Sequence, residues 1–526
     1  MDPAPPATAD PSRLPRHLGV WNGALLLVTY TIGVGILQSP GVVLRNTGSV
    51  PLGYAAWLVG AVVAVCGALV MAELAARTPR SGGTTVFLRE AYGPRAAFVY
   101  GWTALFLAPL ATAAITLVSV RNLGAILGWS AGVQTAVGVS WVGGITLLAM
   151  RSGRVVARIV GGVGIFKISA LGTVVVFCFA GEGAAAPAAA TAAITLVSVR
   201  NLGAILGWSA GVQTAVGVSW VGGITLLAMR SGRAVARIVG GVGIFKISAL
   251  GTVVVLCFAG EGAAAPAAAA AALPVPVSRW VGFGLAVVAT MFAYDGWDGL
   301  ALVAGEVRDP ARNLPRATLL GMGIILAVYL AVNTGFLQAL SPAQVATSPA
   351  LAATAMERVL GAEASRVVTV FVACSAASTV FSSLLCNPRI FFALAEEGQF
   401  FRVAARVHPA WATPWVATLA YGSLTVTYIA SGGGFETLTR YMVLGFLPIY
   451  GLVALAAILA RRRGRPAVFA MPFYPWPVIL MLVYVVAGLA SGFAGDAAAA
   501  AGGLCLMAAG VAVHALWSRA RGPGRA

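Results

Sequence analysis

The sequence predicts an all-α polytopic membrane protein of 12 spans carrying an extra duplicated two-helix unit, about 14 spans in all. Three observations carry this reading. Hydrophobic residues make up 59% and charged residues 10% of the 526 residues, with a mean hydropathy of +0.90, whereas soluble domains run at roughly 45–50% apolar and about 25% charged. Apolar runs of about 20 residues, the length that crosses a bilayer as a helix, recur along the chain. The arginines fall in the short gaps between those runs, mostly on alternate gaps.

Residues 1–17 are rich in Pro and Ala and lack an apolar h-region, so they are expected to form a short cytoplasmic tail rather than a cleaved signal peptide. Spans are then expected at 19–44, 51–76, 96–119, 132–150 and 156–180. Two more follow at 211–229 and 235–259, and seven at 280–304, 317–340, 366–395, 411–430, 437–460, 473–494 and 498–517. The sixth and seventh spans repeat the fourth and fifth. Residues 112–190 recur as 191–269, offset by 79, with two differences: Val155 against Ala234 and Phe177 against Leu256. Divergent structural repeats are not this alike, so the second copy is either a recent tandem duplication or an artefact of sequence assembly; both fit.

The expected organisation is a first half over 18–190, the extra copy over 191–269, a second half over 280–465, the last two spans within 466–518 and a tail at 519–526. Loops are short; the longest, 77–95 and 341–365, are too small for a soluble catalytic domain.

Charge sets the orientation. With the N-terminus inside and fourteen spans, 25 arginines lie inside and 7 outside. An additional span in the apolar stretch around 190–199 would move Arg461, Arg462, Arg463 and Arg465 outside, so the positive-inside rule favours an even insertion and two cytoplasmic termini. The same placement accounts for the net charge of +18. No basic stripe interleaved with aromatics exists, so no nucleic-acid partner is expected; the bilayer is the expected surroundings. The six cysteines, Cys66, Cys178, Cys257, Cys374, Cys386 and Cys505, sit inside apolar runs without metal-ligand or disulfide spacing. No cofactor, metal site or catalytic residue is expected.

Two spans carry interruptions. The first reads Thr31-Ile32-Gly33-Val34-Gly35-Ile36-Leu37-Gln38-Ser39-Pro40. Its glycines and proline weaken the helix at mid-membrane, where irregular backbone survives only when it lines a cavity or is buried in protein. Free N–H groups at a half-helix start suit a carboxylate. A Gly-rich packing face is the plainer alternative, and Gly162-Val163-Gly164 shows how weak a GxG pattern is alone. The span at 280–304 contains Phe292-Ala293-Tyr294-Asp295-Gly296-Trp297-Asp298-Gly299. Aspartates at that depth are costly and mark function by default, and paired interrupted spans in two halves of a chain point to a transporter binding site.

These blocks resemble the amino acid–polyamine–organocation superfamily, close to its L-type and bacterial amino acid permeases. The resemblance rests on Gly33-Val34-Gly35, on Glu73-Leu74-Ala75 through Pro79-Arg80-Ser81-Gly82-Gly83 and Glu90-Ala91-Tyr92-Gly93-Pro94, and on Phe292 to Trp297 followed by Pro310-Ala311-Arg312-Asn313-Leu314-Pro315. It covers roughly 18–490 apart from the extra copy. It implies a five-plus-five inverted-repeat (LeuT-like) bundle with alternating access in a plasma membrane, the inner membrane of a bacterium. It also implies an amino acid substrate whose carboxylate meets the N–H groups of Val34 and Gly35 and whose amino group meets carbonyls of Ile32, Phe292 and Asp295, under the Phe292 ring. The implied substrate-binding set is Ile32, Gly33, Val34, Gly35, Phe292, Ala293, Tyr294, Asp295, Trp297 and Asp298. Asp295 and Asp298 depart from the Gly and Asn frequent in L-type members, which would add charge for a cationic substrate or a protonatable group. The segment 121–132 lacks the cysteine that heterodimeric members use, so no disulfide-linked heavy chain is expected.

Lysine occurs only at Lys167 and Lys246, equivalent positions of the two copies, whereas every other basic residue is arginine. A buried lysine can lose its proton and an arginine cannot. A lysine snorkelling to the interface is the plain alternative. Lys167 lies nine residues past Arg158, about 13 Å deeper in a helix, which favours a functional role. In the resembled family the matching lysine stands where sodium-coupled relatives hold sodium, implying sodium independence and a proton as candidate co-substrate. The pattern Gly128-Trp129-Ser130-Ala131-Gly132 mimics a hydrolase elbow but follows a helix, and His17, His408 and His514 all belong to the other side.

The expected function is therefore sodium-independent transport of amino acids, neutral ones foremost, by proton symport or exchange. A non-transporting sensor and a cationic amino acid or polyamine exchanger are the alternatives. If the first copy occupies the core, Lys167→Ala should abolish uptake more than Lys246→Ala; the reverse order assigns the core to the second copy, and indifference to both removes the lysine role.

Overall fold

The computed structural model describes residues 18–78, 83–151, 247, 250–258, 278–302, 307–409, 413–464 and 469–521. Lys167, Lys246, the expected spans 156–180 and 211–229 and most of 235–259 lie outside the described residues. The described elements are helical, and the strand-like feature among them is an isolated parallel bridge between Leu18 and Val307.

The first half contains α1 (Val20–Thr31), α2 (Gly35–Thr47), α3 (Val50–Arg77), α4 (Thr84–Tyr92), α5 (Pro94–Leu127) and α6 (Ala131–Arg151). After the duplicated region come α7 (Arg279–Ala293), α8 (Gly299–Leu302), α9 (Pro310–Ala339), α10 (Pro342–Thr347), α11 (Leu351–Leu360) and α12 (Ala362–Glu396). The chain closes with α13 (Trp415–Ala430), α14 (Phe435–Arg462), α15 (Trp476–Gly495) and α16 (Ala497–Arg521).

Among the described residues seven helices are long and apolar enough to cross a membrane, and α1 with α2, bent by 60°, makes an eighth. The other expected spans take different forms. Of the run at 280–304, the described residues form α7 and, beyond the turn at 294–298, α8. The run at 366–395 is the 35-residue α12, less apolar because Ser and Thr recur along it. The run at 411–430 is the 16-residue α13, about 24 Å long. The two long loops contain helices of their own. α4 buries Val86, Phe87 and Leu88. In the second loop, Ser341 and Gln344 form a reciprocal capping box at the start of α10.

Helix ends follow local chemistry. Pro94 opens α5, where its missing N–H costs nothing. Gly128 closes α5 in the left-handed region at φ 67°. Ser130, in the elbow-like pattern, accepts from the N–H of Val133 at 3.4 Å and so caps α6. α5 packs against α12, α13, α14 and α16, whereas α7 packs against α2, α3, α14 and α15.

One buried ion cluster ties α3 to α14. The fully buried Glu73 carboxylate accepts from Arg461 Nε at 2.8 Å and Arg461 Nη2 at 2.6 Å, from Arg77, and from the Met471 N–H at 2.9 Å. The Arg461 guanidinium also lies 3.8 Å above the centre of the Tyr474 ring. Removing one partner from such a site leaves the others charged and dry. Glu73→Ala should therefore cost about 3 kcal/mol, read as a clearly lowered melting temperature of the detergent-solubilised protein; an unchanged melting temperature would refute a structural role for the cluster.

Candidate functional site

The candidate site lies where two broken helices touch. α1 ends at Thr31, and Ile32 donates its N–H to Val28 at 2.9 Å before turning extended (φ −72°, ψ 104°). After Gly33 and Val34 the chain restarts as α2 at Gly35. α7 ends at Ala293, and residues 294–298 turn into α8. The Asp295 N–H donates to the Phe292 carbonyl at 3.3 Å, and the Tyr294 N–H to the Thr290 carbonyl at 2.9 Å. The pairs run antiparallel: Leu18, ahead of α1, bridges Val307, beyond α8, and its carbonyl accepts from the Arg308 N–H at 2.9 Å.

Glycine makes the contact between them. A Cβ on Gly35 would sit 2.9 Å from the Ala293 Cα. Gly296 has φ 102°, and a Cβ there would lie 3.0 Å from the Tyr30 carbonyl carbon. Neither position accepts a side chain without moving backbone.

Aromatic side chains then hold the breaks. The Tyr329 hydroxyl from α9 lies 2.7 Å from the Ala293 carbonyl and 3.2 Å from that of Thr31, one proton shared between the loose ends of both helices. Tyr294 donates to the Trp57 carbonyl of α3 at 3.2 Å. The Trp57 ring packs edge-on against Tyr294 and Tyr329 at 5.8 and 5.5 Å. The Trp297 ring lies over Gly67 of α3 and meets Tyr450 of α14 at 5.5 Å.

The structure brings the sequence-predicted residues together as two facing groups. Ile32, Gly33, Val34 and Gly35 form the first break; Phe292, Ala293, Tyr294, Asp295, Trp297 and Asp298 form the second. Ile32, Val34, Phe292, Ala293, Tyr294 and Trp297 are buried. Asp295 is exposed and Asp298 half-buried. Tyr30, 56% exposed, stands beside Gly299 in the same region. On the opposite side the Phe292 ring meets Phe435 of α14 edge-on at 5.3 Å, and both are buried. The Thr31 hydroxyl is buried at the break with no hydrogen-bond partner among the described residues.

Lys167 and Lys246 lie outside the described residues. Sequence reasoning missed Tyr329, Tyr30, Phe435 and Tyr450. Tyr329 left one usable signal: a tyrosine inside an apolar run must find its hydroxyl a partner. No group of His, Cys, Asp and Glu among the described residues is arranged to hold a metal ion.

Comparison with known proteins gives the chain its relatives. The family model described as amino acid permease matches residues 18–508. The chain is 24% identical over 475 residues to the serine/threonine exchanger SteT of Bacillus subtilis, covering 89% of each. It is 26% identical over 480 residues to the human b(0,+)-type amino acid transporter 1, covering 91% of this chain and 82% of that one. It is 27% identical over 484 residues to the human large neutral amino acids transporter small subunit 2, covering 90% and 74%.

The contact geometry makes a direct prediction. Gly35→Val should abolish the rise in melting temperature that a bound amino acid produces, because the new side chain meets the Ala293 backbone. Tyr329→Phe should weaken binding by about fivefold, since one hydrogen bond is worth about 1 kcal/mol. Full binding by either variant would contradict the site.

Proposed function

The chain belongs to the amino acid permease family, and from that premise we propose that it is a secondary active transporter moving amino acids by alternating access. Its relatives transport or exchange amino acids, and it is a multi-pass membrane protein, not an enzyme. The observation that carries the reading is the mutual contact of two antiparallel broken helices at Gly35 and Ala293. It sets the N-terminal end of α2 beside the C-terminal end of α7, opposite partial charges that suit a zwitterion.

In this reading the substrate carboxylate binds the N–H groups of Val34 and Gly35 at the positive end of α2. The ammonium binds the carbonyls of Ile32, Phe292 and Asp295. The Phe292 ring, packed on Phe435, covers one side. The buried, unpaired Thr31 hydroxyl is a further group that a polar substrate completes. The antiparallel breaks support a five-plus-five inverted repeat of twelve spans plus the duplicated pair. Arginine placement supports cytoplasmic termini in a plasma or bacterial inner membrane.

Transport is proposed to be sodium-independent. Tyr329 already donates to the Thr31 and Ala293 carbonyls, which would otherwise be free to face a cation. Coupling is then by proton symport or exchange, with Lys167 or Lys246 as the residue that gains and loses the proton. Neutral α-amino acids are the foremost substrates, given backbone recognition among apolar walls. Without a cysteine in 121–132 the chain is proposed to act without a disulfide-linked partner, although one relative is named a small subunit.

One observation favours a second reading. Asp295 places an exposed carboxylate at the second break with no ion pair among the described residues, which suits a cationic side chain. Uptake of labelled amino acids into proteoliposomes decides both points. Saturable, sodium-independent uptake of neutral amino acids is expected; tight binding without uptake would leave a sensor. If lysine or arginine is carried too, Asp295→Asn should reduce that uptake at least tenfold more than uptake of a neutral amino acid.

A further inference from the structure

The two copies of the repeated unit compete for the same positions. They share their sequence apart from Val155 against Ala234 and Phe177 against Leu256, while each position beside a given helix takes one segment. The described residues show which segment fills two of those positions.

The first is filled by the first copy. In α6, Val142 and Ile145 are buried, and the Met150 carbonyl accepts a hydrogen bond from the Thr413 hydroxyl. Thr146 fills the space over Gly422 of α13, where a Cβ would be only 2.2 Å from its Oγ1. Gly138 lies against Ile429 of α13 and against Thr116 and Val120 of α5.

The second position, against α9, is filled by the second copy. Residues 250–258 are helical, and Leu250, Val253 and Cys257 are buried. Ile247, Val254 and Leu256 pack on the same core. The close point is Gly335 of α9, where a Cβ would stand 3.4 Å from the Cys257 Cβ and 3.4 Å from the Val254 Cα.

Connectivity does not favour either copy here. Taking residues 171–179 instead would shorten the link from α6 and lengthen the link to α7 by the same 79 residues, and closure entropy depends only weakly on length. The placement of Val254 and Cys257 at Gly335 discriminates. The two stretches differ solely at Leu256 against Phe177, next to a cysteine that is 1% exposed.

We infer that the bundle is a composite, with its fourth span from the first copy and its fifth from the second, and that the 79 residues between equivalent points of the two copies are surplus to substrate handling. The lysine joined to the bundle's fifth span is then Lys246, which immediately precedes Ile247.

The inference goes beyond the transport reading and is tested independently of it. Gly335→Cys in the full chain places a thiol within disulfide reach of Cys257. After mild oxidation and digestion, mass spectrometry identifies the partner, because the copies are labelled by Leu256 and Phe177. A cross-link to the Leu256 peptide is expected; a cross-link to the Phe177 peptide, or none, overturns the assignment. Excision of residues 152–230, joining Arg151 to Ser231, should leave a folded protein with uptake within twofold of the full chain, and loss of folding or uptake overturns dispensability. If the full chain itself shows no uptake, the transport reading fails while the cross-link still decides which copy is seated.

Discussion

A helix that stops inside a bilayer exposes backbone groups that no water can satisfy, and that constraint organises the centre of this protein. The chain meets it by bringing two broken helices together. Gly35 and Ala293 touch at the backbone, and a single phenol from α9 serves the carbonyls of Thr31 and Ala293. Tyr329 in turn is held by Trp57 and Tyr294, so the geometry of the breaks depends on aromatic packing from α3 and α9. After this the Thr31 hydroxyl remains buried without a hydrogen-bond partner among the described residues.

α14 connects this centre to both ends of the bundle. Near its start, Glu436 pairs with Arg45 of α2 at 2.7 Å and with Arg440, which reaches Asp496 at 3.3 Å. Arg45 also donates to the Ala346 carbonyl of α10. At its other end Arg461 holds Glu73, and Arg463 donates to the carbonyls of Glu90 at 2.7 Å and Ala91 at 2.9 Å. Between these ends α14 presents Phe435 to Phe292 and Tyr450 to Trp297. The helix that carries the aromatic walls of the site is thus anchored to the first half of the chain on both sides. The partly exposed outer pairs carry little energy each, in contrast to the dry Glu73 cluster.

The sequence by itself determined the membrane class, most helix positions and both breaks. These depend on local composition: twenty apolar residues must cross, arginines must stay out of the hydrocarbon, and glycines with proline weaken a helix wherever it packs. It therefore placed Gly33–Gly35 and Phe292–Asp298 correctly at interruptions without knowing their partners. It read 77–95 and 341–365 as loops, because α4, α10 and α11 are short and take their apolar faces from the bundle. Tertiary structure alone decided which groups close the breaks. Tyr329, Phe435 and Tyr450 are distant in sequence from the breaks they serve, and nothing in a single apolar run says which helix its one tyrosine will face. It alone also showed which of two near-identical copies is seated against α9, because identical sequences differ only in the neighbours they meet.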